Sequence, residues 1–226
     1  MLYRSLCFVA FLSMNVTAFG QLITTDPNDT SFFVRYAANL NAGDSVINIT
    51  NSGANSTSGG VITDAVNGNL CANLYAYTPD EQLVACCACE VTPNGLKSLS
   101  VKNDLAINPL TPAVPTSLVV KILVTSADPL AAGGASRCTG SSPATVGTND
   151  LVKGLIAWST TIHALPVTAV TPAGTYGVTE TEFHGSSLSE TERQRMTTLC
   201  AFIRANGSGY GICKSCRLGG LGASSK

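Results

Sequence analysis

Beyond residue 60, five segments of the chain carry apolar residues in the patterns that are typical of β-strands. Side chains alternate between the two faces of a strand, so a half-buried strand alternates apolar and polar residues, whereas a fully buried strand is apolar throughout. In the last of these segments, Glu180 and Glu182 share a face that should be exposed to solvent. The pattern predicts a mainly β, antiparallel, β-sandwich-like domain. The segments are 70–77, 84–91, 116–124, 155–165 and 176–183.

One or two short helices should accompany the strands. Ser189, with Glu192 three residues later, forms a capping box, and the apolar side chains that follow fall on one face of a helix. Those apolar residues are Met196, Leu199, Cys200 and Ile203. Thr92 and Pro93 could cap a second short helix, or begin a turn, that ends near Leu105.

The N-terminus has the layout of a secretory signal. Arg4 precedes an apolar run at 6–14, and the small residues Ala18 and Gly20 precede a cut that would leave Gln21 as the first residue. The apolar run is too short to span a bilayer, and no later run reaches 18 apolar residues, so no membrane span is expected after cleavage. We therefore expect a secreted protein, extracellular or attached to a cell surface.

An N-terminal arm precedes the cysteine-rich part of the chain. The segment 31–51 contains two strand-like runs, and Ile47 and Ile49 align in the second. The first run places four residues on one face: Val34, Tyr36, Ala38 and Leu40. A Ser-, Gly- and Asn-rich stretch at 52–60 is typical of a loop or linker. The predicted organisation is a signal peptide at 1–20, an N-terminal strand arm and linker at 21–60, and a disulfide-rich β domain at 61–226.

Low charge limits the classes of partner. Charged residues make up 12% of the chain, which is about half the usual share of a soluble domain. The chain has 13 basic and 14 acidic residues, and Arg4 leaves with the signal, so 12 basic residues face 14 acidic ones. This slightly negative balance argues against nucleic acid as a partner. Uncharged surfaces of this kind can pack against copies of themselves.

Eight cysteines remain after signal cleavage: Cys71, Cys86, Cys87, Cys89, Cys138, Cys200, Cys213 and Cys216. An even number in an exported chain indicates four disulfides. Cys138 should tie down the loop that carries it, and Cys200 should tether the helix to a sheet. A metal alternative rests on Cys213 and Cys216, whose spacing is typical of zinc and iron–sulfur ligands. Because thiols oxidise outside the cytoplasm, we expect disulfides, with no metal and no cofactor.

Strand geometry narrows the disulfide pairing. Within 84–91, Cys87 and Cys89 share one face and Cys86 lies on the other. The hairpin that precedes this strand folds Cys71 back towards Cys87 or Cys89. We expect one of those two cysteines to bond Cys71 and the other to bond either Cys213 or Cys216.

The sequence assigns no catalytic residue. Two histidines are present, His163 and His184, and neither stands in a metal-ligand or Ser-His pattern. Glu180 and Glu182 share a strand face, where they could serve acid/base chemistry on a sugar or bind calcium. Such a pair is more commonly a solvated face, so we expect no enzyme activity.

Several sequence blocks resemble a group of exported, cysteine-rich proteins of unknown function from soil bacteria. The resemblance covers most of the chain from about Asn69 to the end and does not include the N-terminal arm. It implies export and carries over no site residues. The blocks are Asn69-Leu-Cys-Ala-Asn-Leu-Tyr, Cys86-Cys-Ala-Cys, Leu110-Thr-Pro-Ala-Val-Pro-Thr and Gly209-Tyr-Gly-Ile-Cys-Lys-Ser-Cys.

These observations favour an extracellular structural protein, a self-assembling fibre subunit whose N-terminal strand completes the sheet of the next copy. Its expected partners are copies of itself. The residues expected to mediate self-association are Val34, Tyr36, Leu40, Ile47 and Ile49. The alternative is a monomeric secreted binding module for carbohydrate or a surface partner. Aromatic residues available for such binding are Tyr75, Tyr77, Trp158, Tyr176 and Tyr210.

Overall fold

The computed structural model describes residues 30–55, 68–106, 114–127, 138–206, 213–214 and 216–218. The predicted signal peptide and the second half of the predicted linker lie outside these residues. Among the helices of the described segments, none has the length and apolar character needed to cross a membrane.

Within the described residues, ten strands form two antiparallel sheets. In chain order they are β1 (Phe32–Ala37), β2 (Val46–Asn51), β3 (Leu70–Tyr77), β4 (Leu83–Val91), β5 (Leu96–Ser100), β6 (Leu118–Ser126), β7 (Leu155–Ala164), β8 (Tyr176–Glu182), β9 (His184–Gly185) and β10 (Arg217–Leu218). Sheet A has the order β4-β3-β6-β1-β9, and sheet B has the order β10-β5-β2-β7-β8. The helical elements are α1 (Glu190–Ala205), a π-helical turn (Val101–Leu105) and two 3-10 turns (Ser142–Ala144 and Thr148–Asp150).

The two sheets pack face to face, and α1 covers the outer face of sheet A. One hydrophobic cluster lies between the sheets and includes Phe33 of β1, Ile49 of β2 and Leu74 of β3. A second cluster lies between sheet A and the helix and includes Tyr75 of β3 and Met196 of α1. Every residue of β3 is buried, which fits its largely apolar sequence. The buried Asn73 side chain donates to the Leu123 carbonyl at 3.1 Å. The predicted sandwich-like β fold with a helix is confirmed.

The helix predicted after Ser189 is confirmed. The Ser189 side chain accepts a hydrogen bond from the Glu192 backbone N at 3.1 Å, so it caps the helix as the sequence indicates. Met196 and Cys200 are fully buried and Ile203 is nearly so. The buried face of α1 therefore lies against sheet A.

The segment after Thr92 is a turn, and the helical alternative is wrong there. The Gly95 amide donates to the Thr92 carbonyl at 2.8 Å, and Asn94 adopts a left-handed φ of 60°. The chain then enters β5, which pairs along β2. Pairing with a central strand of sheet B outweighs the local helix-start signal at Thr92.

The predicted N-terminal arm is not separate from the rest of the described chain. β1 lies between β6 and β9 in sheet A, and β2 lies between β5 and β7 in sheet B. The expected boundary near residue 60 therefore does not divide two packed bodies. The predicted alignment of the first run also needs correction, because β1 ends at Ala37 and Leu40 turns into the core.

Candidate association surface

Four disulfides hold β3 and β4 to other parts of the chain. The bonds are Cys71–Cys138, Cys86–Cys200, Cys87–Cys213 and Cys89–Cys216. We call β3, β4 and the cysteines bonded to them the locked side. Cross-links of this kind stabilise a fold chiefly by restricting the unfolded chain. The thiolates that the metal alternative required are consumed in these bonds.

The pairing follows the predicted faces of β4 but not the predicted partner of Cys71. Cys87 and Cys89 both bond the C-terminal pair, and Cys86 on the other face bonds Cys200 of α1. The prediction that Cys71 bonds Cys87 or Cys89 is wrong. In the β3–β4 register Cys71 lies opposite Glu90, whereas Cys89 lies opposite Ala72. This one-residue offset places Cys71 on the other face of the sheet, where Cys138 is its partner.

The opposite side of the sandwich contains no cysteine. It is formed by β1, β8 and β9, which we call the open side. β1 makes six register pairs with β6, from Phe32–Leu123 to Ala37–Leu118. On its other edge β1 makes two pairs with β9. Within the described residues, Arg35–Ala37 have no strand partner on that edge.

Arg35 spans the gap between the two sheets on the open side. Its guanidinium donates to the hydroxyls of Thr181 at 2.6 Å, Thr161 at 2.7 Å and Ser159 at 3.3 Å. Arg35 has no ion-pair partner among the described residues. Partial burial lowers the pKa of Arg35, because desolvation disfavours the charged form. These hydrogen bonds of Arg35 therefore join β1 to β7 and β8, and we call this connection the Arg35 strut.

β8 is an edge strand of sheet B that exposes apolar side chains to solvent. Val178 is 64% exposed and Tyr176 is 41% exposed. Val167 and Val170, in the loop that precedes β8, are also exposed. An unpaired strand edge can template pairing with another chain unless it is blunted by charge or cover. The open side thus combines unpaired backbone with exposed apolar side chains.

The connection from β1 to β2 is fixed at both ends and exposed in the middle. At its start, the Leu40 amide donates to the Thr116 carbonyl at 2.9 Å, and the Leu40 side chain is fully buried. At its end, a carboxylate oxygen of Asp44 accepts from the Lys102 backbone N at 2.9 Å. Asn41 and Ala42 between them are exposed. Residues 41–43, which we call the hinge, are the most exposed part of this connection, and the Ala42 amide donates to the nearby Asn39 carbonyl at 2.9 Å.

The structure does not bring the five predicted association residues onto one surface. Leu40, Ile47 and Ile49 lie in the core of their own chain. Val34 is half-buried against the cluster beneath α1, and Tyr36 is 52% exposed. The alternation of apolar and polar residues did not predict the role of Arg35. Its hydroxyl partners lie more than 120 residues away in the chain.

The residues weighed for catalysis lie on strands. Glu180 and Glu182 are exposed, and the Asn48 side-chain amide donates to a Glu180 carboxylate oxygen at 3.4 Å. His184 pairs with Val34 across the β1–β9 edge, and His163 lies opposite Gly177 in the β7–β8 hairpin. Within the described residues, no three His, Cys, Asp or Glu side chains are grouped so that they could hold a metal ion.

No protein family, no curated protein and no solved structure matches the chain significantly.

Proposed function

We propose that this protein is an extracellular structural subunit that associates with copies of itself by exchange of the N-terminal strand β1. In that arrangement, β1 of one copy occupies the position between β6 and β9 of the next copy. The register pairs of β1 are then made between chains rather than within one chain. An exchange that passes from copy to copy without closing produces filaments.

The observation that carries this proposal is the position of β1. It lies inside sheet A, yet it precedes Cys71, the first cysteine of the described residues. No covalent bond therefore has to break when β1 leaves its own sheet. Its contacts with the neighbouring two-residue β9 are few, so most of the cost of departure comes from β6 and the core.

Burial makes an empty β1 position unfavourable. Phe33 is 1% exposed and Phe32 is 5% exposed, and full burial of a Phe side chain contributes about 1.5–3 kcal/mol. A chain that releases its own β1 therefore gains strongly by accepting the same strand from a neighbour. Because the exchanged contacts are the same, concentration and strain in the hinge at 41–43 decide between the two states.

Other properties of the chain fit an extracellular structural role. Four disulfides are typical of an oxidising compartment, and they make the locked side resistant to unfolding. The low content of charged residues, 12% of the chain, limits electrostatic repulsion between closely packed copies.

The test is assembly of the chain from Gln21 onwards, secreted under oxidising conditions and examined by electron microscopy and light scattering. We expect filaments or large particles whose size falls when an excess of a synthetic peptide of residues 30–40 is present during assembly, since the peptide fills the β1 position and stops growth. The matched control peptide carries Phe33→Asp and should have no effect. A monomer at all concentrations, or assembly insensitive to the unmodified peptide, would refute the proposal.

A further inference from the structure

Arg35 is a half-buried cation whose charge is not balanced by a neighbouring carboxylate. The ion pairs of the described residues are made by Lys121, Arg193 and Arg195, and none of them includes Arg35. Burial lowers the pKa of Arg35, and no nearby charge contributes to that shift. Withdrawing a charge from water is unfavourable unless the charge is paired. A guanidinium in this position therefore has an electrostatic reason to bind an anion.

Strand alternation keeps the closest acidic residues of β8 away from Arg35. Glu180 and Glu182 alternate with Thr181, whose hydroxyl accepts from Arg35. Because successive side chains of a strand point to opposite faces, both carboxylates lie on the outer face of sheet B. The Asn48 side-chain amide donates to the Glu180 carboxylate there. Negative charge is thus placed on the face of β8 that Arg35 does not contact.

Three hydroxyls contact the guanidinium, and each of them keeps its own hydrogen for a further bond. Arg35 Nη2 donates to the hydroxyls of Thr161 and Thr181, and Nε donates to that of Ser159. A hydroxyl that accepts a hydrogen bond can still donate one. No described group accepts from these three hydroxyls, and none accepts from Nη1 of Arg35. The donors of this group therefore outnumber the acceptors that the described chain offers them.

The register of the β7–β8 hairpin places the hydroxyls side by side. Ser159 lies directly opposite Thr181, and Thr161 lies directly opposite Thr179. The Cβ atoms of directly opposite residues are about 4.5–5.5 Å apart. All four residues share the face of sheet B that contacts Arg35. Thr179 and Thr181 are exposed, so a solute can reach this group, which we call the Arg35 site.

The chemistry of the Arg35 site selects the class of ligand. Its unused groups are hydrogen-bond donors that surround a positive charge, which is the arrangement that an anion requires. A carboxylate offers two acceptor oxygens. A phosphate or sulfate group offers three or four oxygens arranged as a tetrahedron, so it can accept from Nη1 and from several hydroxyls at once. The tetrahedral anion is therefore the better match.

We propose that the Arg35 site binds a tetrahedral oxyanion, a phosphate or sulfate group, with Nη1 of Arg35 and the hydroxyls of Thr161 and Thr181 as donors. Ser159 is 1% exposed, so its hydroxyl orients the guanidinium and does not touch the ligand. The site is the same whether its β1 comes from its own chain or from a neighbouring copy. Oxyanion binding therefore does not depend on strand exchange and would hold for a monomeric protein.

The test is titration of the intact, oxidised protein at neutral pH and constant ionic strength with inorganic phosphate, inorganic sulfate and glucose 6-phosphate, observed by NMR. At least one of these should bind with a millimolar dissociation constant, shift the signals of Thr161 and Thr181, and raise the melting temperature. Tighter binding of the sugar phosphate would identify the ligand as an ester, and tighter binding of an inorganic ion would identify it as the free anion. Chloride and acetate should bind more weakly.

Two variants test the assigned donors. Thr181→Val removes one exposed hydroxyl without changing the charge, and it should weaken binding at least about threefold, as expected for loss of one hydrogen bond. Arg35→Met should abolish binding. Arg195→Met is the matched control, because it removes the same charge from an exposed arginine that is paired with Glu81, and it should leave binding unchanged.

Three results would overturn the proposal. The first is that none of the three oxyanions binds to the folded protein. The second is that Thr181→Val binds the oxyanion as tightly as the unmodified chain, and this variant decides the question if Arg35→Met does not fold. The third is that chloride at the same ionic strength shifts the signals of Thr161 and Thr181 as strongly, because the response would then be general screening of charge.

Discussion

The locked side and the open side consist of antiparallel strands, but different forces hold them in place. On the locked side, β4 is an edge strand that is almost wholly buried and joined by disulfides to α1 and the C-terminal segment. On the open side, the edge strand β8 is almost wholly exposed and lies in a part of the chain without cysteines. The described disulfides are therefore concentrated on the side whose edge strand is buried.

The N-terminal strand β1 combines features of the two sides. β1 buries its inward face as a core strand does. It is held by backbone pairing with β6 and by the hydrogen bonds of Arg35, and no disulfide joins it to its neighbours. If disulfides served only to stabilise this fold, a disulfide to β1 would stabilise it further, and β1 has none. An exchangeable strand, in contrast, must be well packed and not covalently bound.

The largest expected effect is on the locked side. Replacing Cys86 and Cys200 by alanine removes the bond between β4 and α1, which closes a long loop. We expect the free energy of unfolding to fall by about 2–5 kcal/mol, measured by guanidinium denaturation. Assembly of the variant below its unfolding midpoint should be unchanged. If assembly were lost while the protein remained folded, the locked side would have a direct role in association.

A smaller effect is expected on the open side from Arg35→Met. The change removes three hydrogen bonds to hydroxyls of β7 and β8 but keeps the aliphatic part of the side chain. Because Arg35 is partly exposed and water can replace its bonds, we expect a loss of about 1 kcal/mol in unfolding free energy. Loosening β1 should also accelerate exchange, so assembly should be faster.

Arg35→Lys is the control for that prediction. A lysine keeps the charge but cannot reproduce the planar fork that contacts several hydroxyls at once, so it should rescue only part of the stability. Slower assembly of Arg35→Met, measured by light scattering, would show that the strut promotes exchange instead of restraining it.

The smallest effect concerns Glu190 at the start of α1. Hydrogen bonds from Arg193 first, then from Thr148 and Gln194, lower the pKa of Glu190 from 4.5 to about 2. A carboxyl whose pKa is depressed by folding contributes stability that is present above its unfolded pKa and is lost as the pH falls through its folded pKa. The melting temperature of the unmodified protein should therefore exceed that of Glu190→Gln above about pH 5.

That difference should shrink as the pH falls towards 2. Thermal unfolding followed by circular dichroism from pH 7 to pH 2 measures it. An equal difference at both ends of this range would mean that the charge of Glu190 is not what stabilises the start of the helix.

Local patterns in the sequence predict most of the elements. β3 has its predicted bounds, and α1 begins at the predicted cap, because strand alternation and capping depend on residues close together in the chain. The shared face of Cys87 and Cys89 follows from the same alternation.

Register and long-range packing were not accessible from the sequence. The partner of Cys71 depends on a one-residue offset between two strands. The placement of β1 and β2 in different sheets depends on pairing partners that are 46 to 112 residues away in the chain.

The most direct test of strand exchange is a cysteine trap at the β1–β6 pair. Tyr36 and Val119 lie directly opposite each other, within the spacing that a disulfide can bridge. Tyr36→Cys with Val119→Cys should form that disulfide in the assembled protein. The matched control, Thr160→Cys with Glu180→Cys, joins opposite residues of the β7–β8 hairpin and should bond within one chain.

The products are separated by non-reducing gel electrophoresis after assembly and oxidation. Strand exchange predicts a ladder of covalent oligomers for the β1–β6 pair, which collapses to one band on reduction, and a monomer band for the hairpin control. A monomer band for both pairs, with the disulfide between positions 36 and 119 formed within each chain, would contradict strand exchange.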